Sequence, residues 1–137
     1  MALLLSSETR SIAGILLLTI VAVEYGGWFM LSVVRGRQPM TDFQKAFARA
    51  GHAHAGVLVI LSLVCQIYVD ATHMNPTLAF LARDGVPLAA ILMPAGFFLS
   101  SAGKGLAQPN RLIILLYAGI ISLAVGVVSL GLGLLTT

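Results

Sequence analysis

The run LIILLYAGIISLAVGVVSLGLGLL, residues 112–135, is 24 residues long and holds no Asp, Glu, Lys or Arg. Roughly 20 such residues, rising ~1.5 Å each, cross the ~30 Å hydrocarbon core of a bilayer. Water is absent there, so every backbone N–H and C=O must pair within the segment, and a helix does this. Inside the run, Gly119, Ser122, Gly126, Ser129 and Gly133 recur at steps of three and four, which lines them along one helical face. Small residues at that spacing let a neighbouring backbone approach closely. The face is therefore expected to pack on another span or on another copy of the chain, with the Leu, Ile and Val around it turned to lipid.

The rest of the chain follows the same rule. Of 137 residues, 58% are apolar and 9% charged, against roughly 45–50% and 25% in soluble domains. The length leaves room for four spans with short loops and none for a separate soluble domain. The expected fold class is all-α, an integral membrane four-helix bundle forming a single domain, with spans at about 11–34, 46–69, 86–102 and 112–135. The first ends at the basic turn Arg35-Gly36-Arg37 before Pro39. The second opens at Thr41, with Thr41 and Asp42 as cap and first-turn acid, and turns apolar near Ala50 before ending by Tyr68 or Asp70. The third is short, with Pro87 in its first turn and Pro94 mid-helix, where it should kink the helix and leave a carbonyl without its usual partner. Glu8 offsets Arg10 ahead of the first span, so no net-positive leader precedes it and the span is expected to be retained. Cys65 is the single cysteine. It lies in an apolar run, excludes an internal disulfide and reads as a small hydrophobe.

The net charge of +3 does not argue for nucleic acid, because the basic residues are few and sit at span ends. Arg35, Arg37, Lys45, Arg49, Lys104 and Arg111 fall in the first and third loops, while Arg10 and Arg83 fall on the other side. The positive-inside rule then places the first and third loops in the cytoplasm and both termini outside the plasma membrane.

Ionisable groups inside a span are costly and need a reason. Glu24 stands in mid-span one, within Val23-Glu24-Tyr25-Gly26-Gly27-Trp28, and His52 and His54 stand near the start of the apolar part of span two. His73 lies in the second loop beside Asn75-Pro76 and is expected to be solvated. Glu24 precedes the basic turn by about as many residues as His52 follows Thr41, so carboxylate and imidazoles fall at similar depths. A hydrogen bond from Glu24 would fix the tautomer of a ligating histidine; a purely structural contact with Tyr25 or a histidine is the plainer alternative. At about 100° per residue, His52 and His54 point some 200° apart. One ion cannot take both from a regular helix, which suits two separate ligands, or one ligand and one structural contact. Gly51, Ala53, Ala55 and Gly56 add almost no bulk around them, so a flat macrocycle could lie near the backbone while an imidazole reaches its iron. Helix packing favours the same small residues.

The stretch Gly51-His52-Ala53-His54-Ala55-Gly56-Val57-Leu58 resembles the H-x-H helix of the heme-copper oxidase superfamily, especially its nitric oxide reductase branch. In those catalytic subunits the two histidines serve different hemes on opposite sides of one helix. Their twelve spans form three arcs of four with ligating histidines on the second helix, and this chain is similar to one arc alone. The resemblance implies a homotrimer closed into a ring through a heterologous interface. It also implies heme b held between His52 of one protomer and His54 of the next, with Arg35, Arg37 or Arg49 meeting the propionates. The chain has no further in-membrane histidine for copper or non-heme iron, so the resemblance implies electron transfer or heme handling and not oxygen or nitric oxide reduction.

Three functional readings stand at this point: a heme b protein; a small oligomeric proton or metal-ion transporter using Glu24 and the histidine pair; and an accessory subunit of a larger membrane complex. No nucleophile triad, phosphate loop or cysteine metal cluster is present, which excludes conventional hydrolase and nucleotide chemistry.

Overall fold

The structure, a computed structural model, describes residues 5–136. It contains four α-helices, α1 (Ser7–Val34), α2 (Asp42–Asp70), α3 (Pro76–Ser100) and α4 (Ile114–Thr136), with a 3-10 turn over Arg111–Ile113 leading into α4, and no strand among the described residues. All four helices are long and apolar enough to cross a membrane.

Each start has a chemical cause. Ser6 caps α1 by accepting from the Thr9 N–H. Thr41 and Gln44 form a reciprocal capping box at α2, so two orphan donors of the first turn are satisfied. Asn75 caps α3 by accepting from the Leu78 N–H, with Pro76 in the first turn where its missing N–H costs nothing. This last signal corrects the expected third span. The helix begins ten residues before Val86, and both Pro87 and Pro94 are interior. The polar pair Arg83-Asp84 masked its first turns in the hydropathy pattern.

The helices pack in chain order, α1 on α2, α2 on α3 and α3 on α4, with little contact between α2 and α4. The tightest junction is α3–α4. A Cβ at Gly126 would lie 2.9 Å from the Val86 nitrogen, and one at Gly119 would lie 2.9 Å from the Met93 nitrogen. The Ser122 hydroxyl donates to the Gly85 carbonyl at 2.8 Å across the same seam. The small-residue face of α4 therefore packs on α3, a span of the same chain. Cys65, Val69, Ala82, Val86 and Leu130 form a core cluster beside it. By contrast α1 buries only Thr9, Leu16, Met30 and Val33.

Polar ties fasten the two ends of the bundle. At one end Arg83 donates to Asp70 Oδ1 at 2.9 Å, to Ser6 Oγ at 3.2 Å and to Thr9 Oγ1, while the Ser6 N–H reaches Asp70 Oδ2 at 2.7 Å. The Asp70 side chain is 5% exposed. Beneath this cluster Gln66 Nε2 donates to the Arg83 carbonyl at 2.7 Å. In a regular helix that oxygen would take the N–H four residues on, but the residue there is Pro87, which has none. At the other end Gln44 Nε2 donates to the carbonyls of Ser101 at 2.9 Å and Gly103 at 2.7 Å.

Candidate functional site

The two histidines lie on different sides of α2, as their spacing requires. The His52 ring lies against the bare backbone of α1: a Cβ at Gly26 would come within 3.2 Å of His52 Nδ1, and one at Gly27 within 3.6 Å of Cε1 and Nε2. His54 turns toward α3, with its ring centroid 5.0 Å from that of Phe97. Phe97 meets Phe47 edge-on at 5.4 Å, and Phe47 meets Phe43 at 4.3 Å, so His54 closes an aromatic row between α2 and α3.

Hydrogen bonding separates the two rings further. His54 Nδ1 lies 2.7 Å from the Ala50 carbonyl oxygen. A carbonyl only accepts, so Nδ1 carries the proton, and in the neutral ring Nε2 keeps its lone pair free. His52 makes no hydrogen bond with any described residue. Gln66 Oε1 is the one enclosed side-chain N or O atom without a partner among the described residues, so the half-buried His52 ring is open to its surroundings. Those surroundings are an apolar trough of about 370 Å³ with α2 as its floor and α1 and α3 as its walls. His52, Ala55 and Val59 form the floor, and Gly26, Pro87 and Phe98 are among the wall residues.

The small residues divide between two roles. A Cβ at Gly51 would lie 2.9 Å from Phe98 Cε2 and 3.0 Å from Phe97 Cβ, so Gly51 serves the α2–α3 junction. Gly56 faces Val23 of α1 at ordinary contact distance. Arg49 is exposed on α2, one turn from His52 toward the Gln44 end, and Arg35 and Arg37 are exposed in the first loop. His73 is exposed in the loop between α2 and α3, as expected.

Glu24 is not joined to this site. It is exposed on α1 and hydrogen-bonds to neither histidine. The depth estimate holds, since Gly26 and Gly27 are level with His52. The facing does not: the direction midway between those glycines is roughly 110° around the helix from Glu24 at about 100° per residue. Among the described residues no group of three or more His, Cys, Asp or Glu side chains converges to hold a metal ion. The Arg83–Asp70–Ser6–Thr9 cluster was not anticipated, because Asp70 lies at the end of one helix and Arg83 thirteen residues on in the next, with no local spacing that pairs them.

The chain matches no family model, no curated protein and no solved structure.

Proposed function

We propose that the chain is a heme b-binding multi-pass protein of the plasma membrane, working in electron transfer or heme handling as a homotrimer, with its first and third loops in the cytoplasm. The observation that carries this reading is the pair of imidazoles on opposite sides of α2, each with a nitrogen free to ligate. His52 makes no hydrogen bond with a described residue and stands among the lining of an apolar trough, so its ring nitrogens are available to a ligand that enters there. His54 has its proton held at Nδ1 by Ala50, which leaves Nε2 as the ligating atom and fixes the ring's orientation.

The donor set suits the group. Neutral imidazoles are common axial ligands of heme iron, and an apolar lining excludes water from a macrocycle's faces. In the proposed ring His52 of one protomer and His54 of the next would hold the heme iron between them. Arg49 stands one turn from His52 on the side of the basic loops, where a guanidinium pairs with a propionate carboxylate. When bound, the iron supplies a one-electron couple. The chain's own residues would hold, orient and insulate it.

The test is an absorption spectrum of the detergent-purified protein, oxidised and dithionite-reduced, with heme quantified per chain. A sharp Soret band, a reduced α band and about one heme per chain are expected from bis-histidine ligation. His52→Ala and His54→Ala should each abolish the band, while His73→Ala leaves it intact. A protein that stays colourless after added hemin, or full heme retention in both single variants, overturns the assignment.

A further inference from the structure

The trough beside His52 is longer than that imidazole needs. Its α1 wall runs from Ile12 through Leu16, Thr19 and Ala22 to Gly26. At its Arg83 end it meets a second cavity of about 520 Å³, lined by Glu8, Ile12, Pro76, Ala79, Phe80, Arg83 and Asp84. Ile12 belongs to both, so the two cavities form one path along the gap between α1 and α3. The path changes character along its length. The deep stretch is apolar, while the mouth carries charge.

The sign of that charge is decided by pairing. Arg83 is committed to Asp70, whereas Glu8 and Asp84 form no ion pair with any described residue. The mouth therefore presents two unneutralised carboxylates beside an occupied guanidinium. The stretch from Ile12 to Ala22 spans ten residues of α1, about 15 Å at 1.5 Å per residue. That is half of the ~30 Å hydrocarbon core, the depth of one leaflet.

We infer that the gap between α1 and α3 binds a single phospholipid from the leaflet on the Arg83 side, its ammonium-bearing headgroup held by Glu8 and Asp84 and one acyl chain laid along Ile12, Leu16, Thr19 and Ala22. The shape argues for a chain, because a trough walled by two helices that do not close on each other must be filled by something apolar and flexible. The charge argues for a cationic amine over an anionic headgroup. It also accounts for the sparse burial of α1, which touches α3 directly where Arg83 donates to Thr9 and would meet it through the lipid along the trough. His52 lines the same trough at its other end, one turn beyond Ala22 toward Gln44, so the lipid shares a cavity with the proposed heme. Retained lipid and the heme spectrum are read separately, so that either reading can fail alone.

The experiment incubates the full chain with vesicles holding equal parts of phosphatidylethanolamine and phosphatidylglycerol, re-isolates it in detergent, and identifies the co-eluting lipid by mass spectrometry. The wild type should retain about one phosphatidylethanolamine per chain in preference to phosphatidylglycerol. Replacing both acids, Glu8→Gln with Asp84→Asn, should lower that preference roughly fivefold or more, with helicity unchanged. Filling the trough by Ala90→Phe, or by Ala22→Phe on the loosely packed α1 should Ala90→Phe fail to fold, should remove retained lipid of both kinds. Equal retention of the two lipids by the wild type, an unchanged preference in the double variant, or undiminished lipid in a folded trough-filling variant would overturn the inference.

Discussion

Adding one methyl group to α4 should change stability in opposite directions at two glycines five residues apart. At Gly126 a new Cβ would sit 2.9 Å from the Val86 nitrogen, 3.0 Å from Val86 Cγ2 and 3.1 Å from the Gly85 carbonyl carbon. Two of these are backbone atoms, which cannot rotate aside, so α3 and α4 must separate by several tenths of an ångström. Overpacking of that kind costs about 1–3 kcal/mol, and separation also stretches the Ser122–Gly85 hydrogen bond of 2.8 Å, a class of contact averaging about 0.6 kcal/mol in membranes. Against this, alanine is favoured over glycine in a helix by about 0.5–1 kcal/mol. The net expectation for Gly126→Ala is a loss of about 2 kcal/mol. At Gly131 a Cβ would meet nothing within 4 Å, so only the helix term remains and Gly131→Ala should gain up to about 1 kcal/mol. Reversible unfolding in mixed micelles of increasing SDS content, followed by circular dichroism, measures both. Equal stability of the two variants would refute the α3–α4 seam as described.

Arg83→Ala should cost about 3 kcal/mol in the same unfolding assay, because it leaves the Asp70 carboxylate, 5% exposed, with its ion pair broken. Asp70→Asn should cost less, since an amide oxygen still accepts from Ser6. Glu24→Gln should leave the reduced heme spectrum at the wild-type position, because Glu24 touches neither histidine; a shifted α band would show that a second protomer brings it to the site.

Much of this fold was legible because lipid leaves few options. An uncharged run of helical length has one solution in a bilayer, and the Thr41 cap writes the start of α2 into the chain. The His52/His54 divergence was legible for the same reason, since two residues apart on a helix means opposite sides whatever the surroundings. The third span was misread at its start because hydropathy averages over residues and cannot know that Arg83 is neutralised by Asp70, thirteen positions earlier and on another helix. Glu24 was misplaced for a related reason. Depth follows from residue count, but facing depends on which side of α1 meets α2, and that is set by where bare glycine backbone admits the His52 ring. The partner of the glycine–serine face was equally closed to sequence, because a neighbouring span and a second copy offer it the same surface.

One pairing ties these levels together and makes its own test. Pro87 cannot donate to the Arg83 carbonyl, and Gln66 from α2 supplies the missing donor at 2.7 Å. Gln66 is fully buried, and its Oε1 has no partner among the described residues, so the side chain is held in place by this one bond against a desolvation cost. If it serves only to satisfy the oxygen Pro87 orphans, its value must depend on Pro87. Gln66→Leu alone should destabilise the bundle by about 1–2 kcal/mol, the penalty of a buried unsatisfied carbonyl. Pro87→Ala restores an N–H four residues after Arg83 and lets the helix satisfy its own backbone. In that background Gln66→Leu should be neutral or stabilising, because it removes a buried polar group that no longer has a duty. The double-mutant cycle should therefore show a coupling energy of about 1–2 kcal/mol. Additive effects would mean that Gln66 is kept in the core of a membrane bundle for something other than the proline, and its free oxygen would then be the place to look for a ligand.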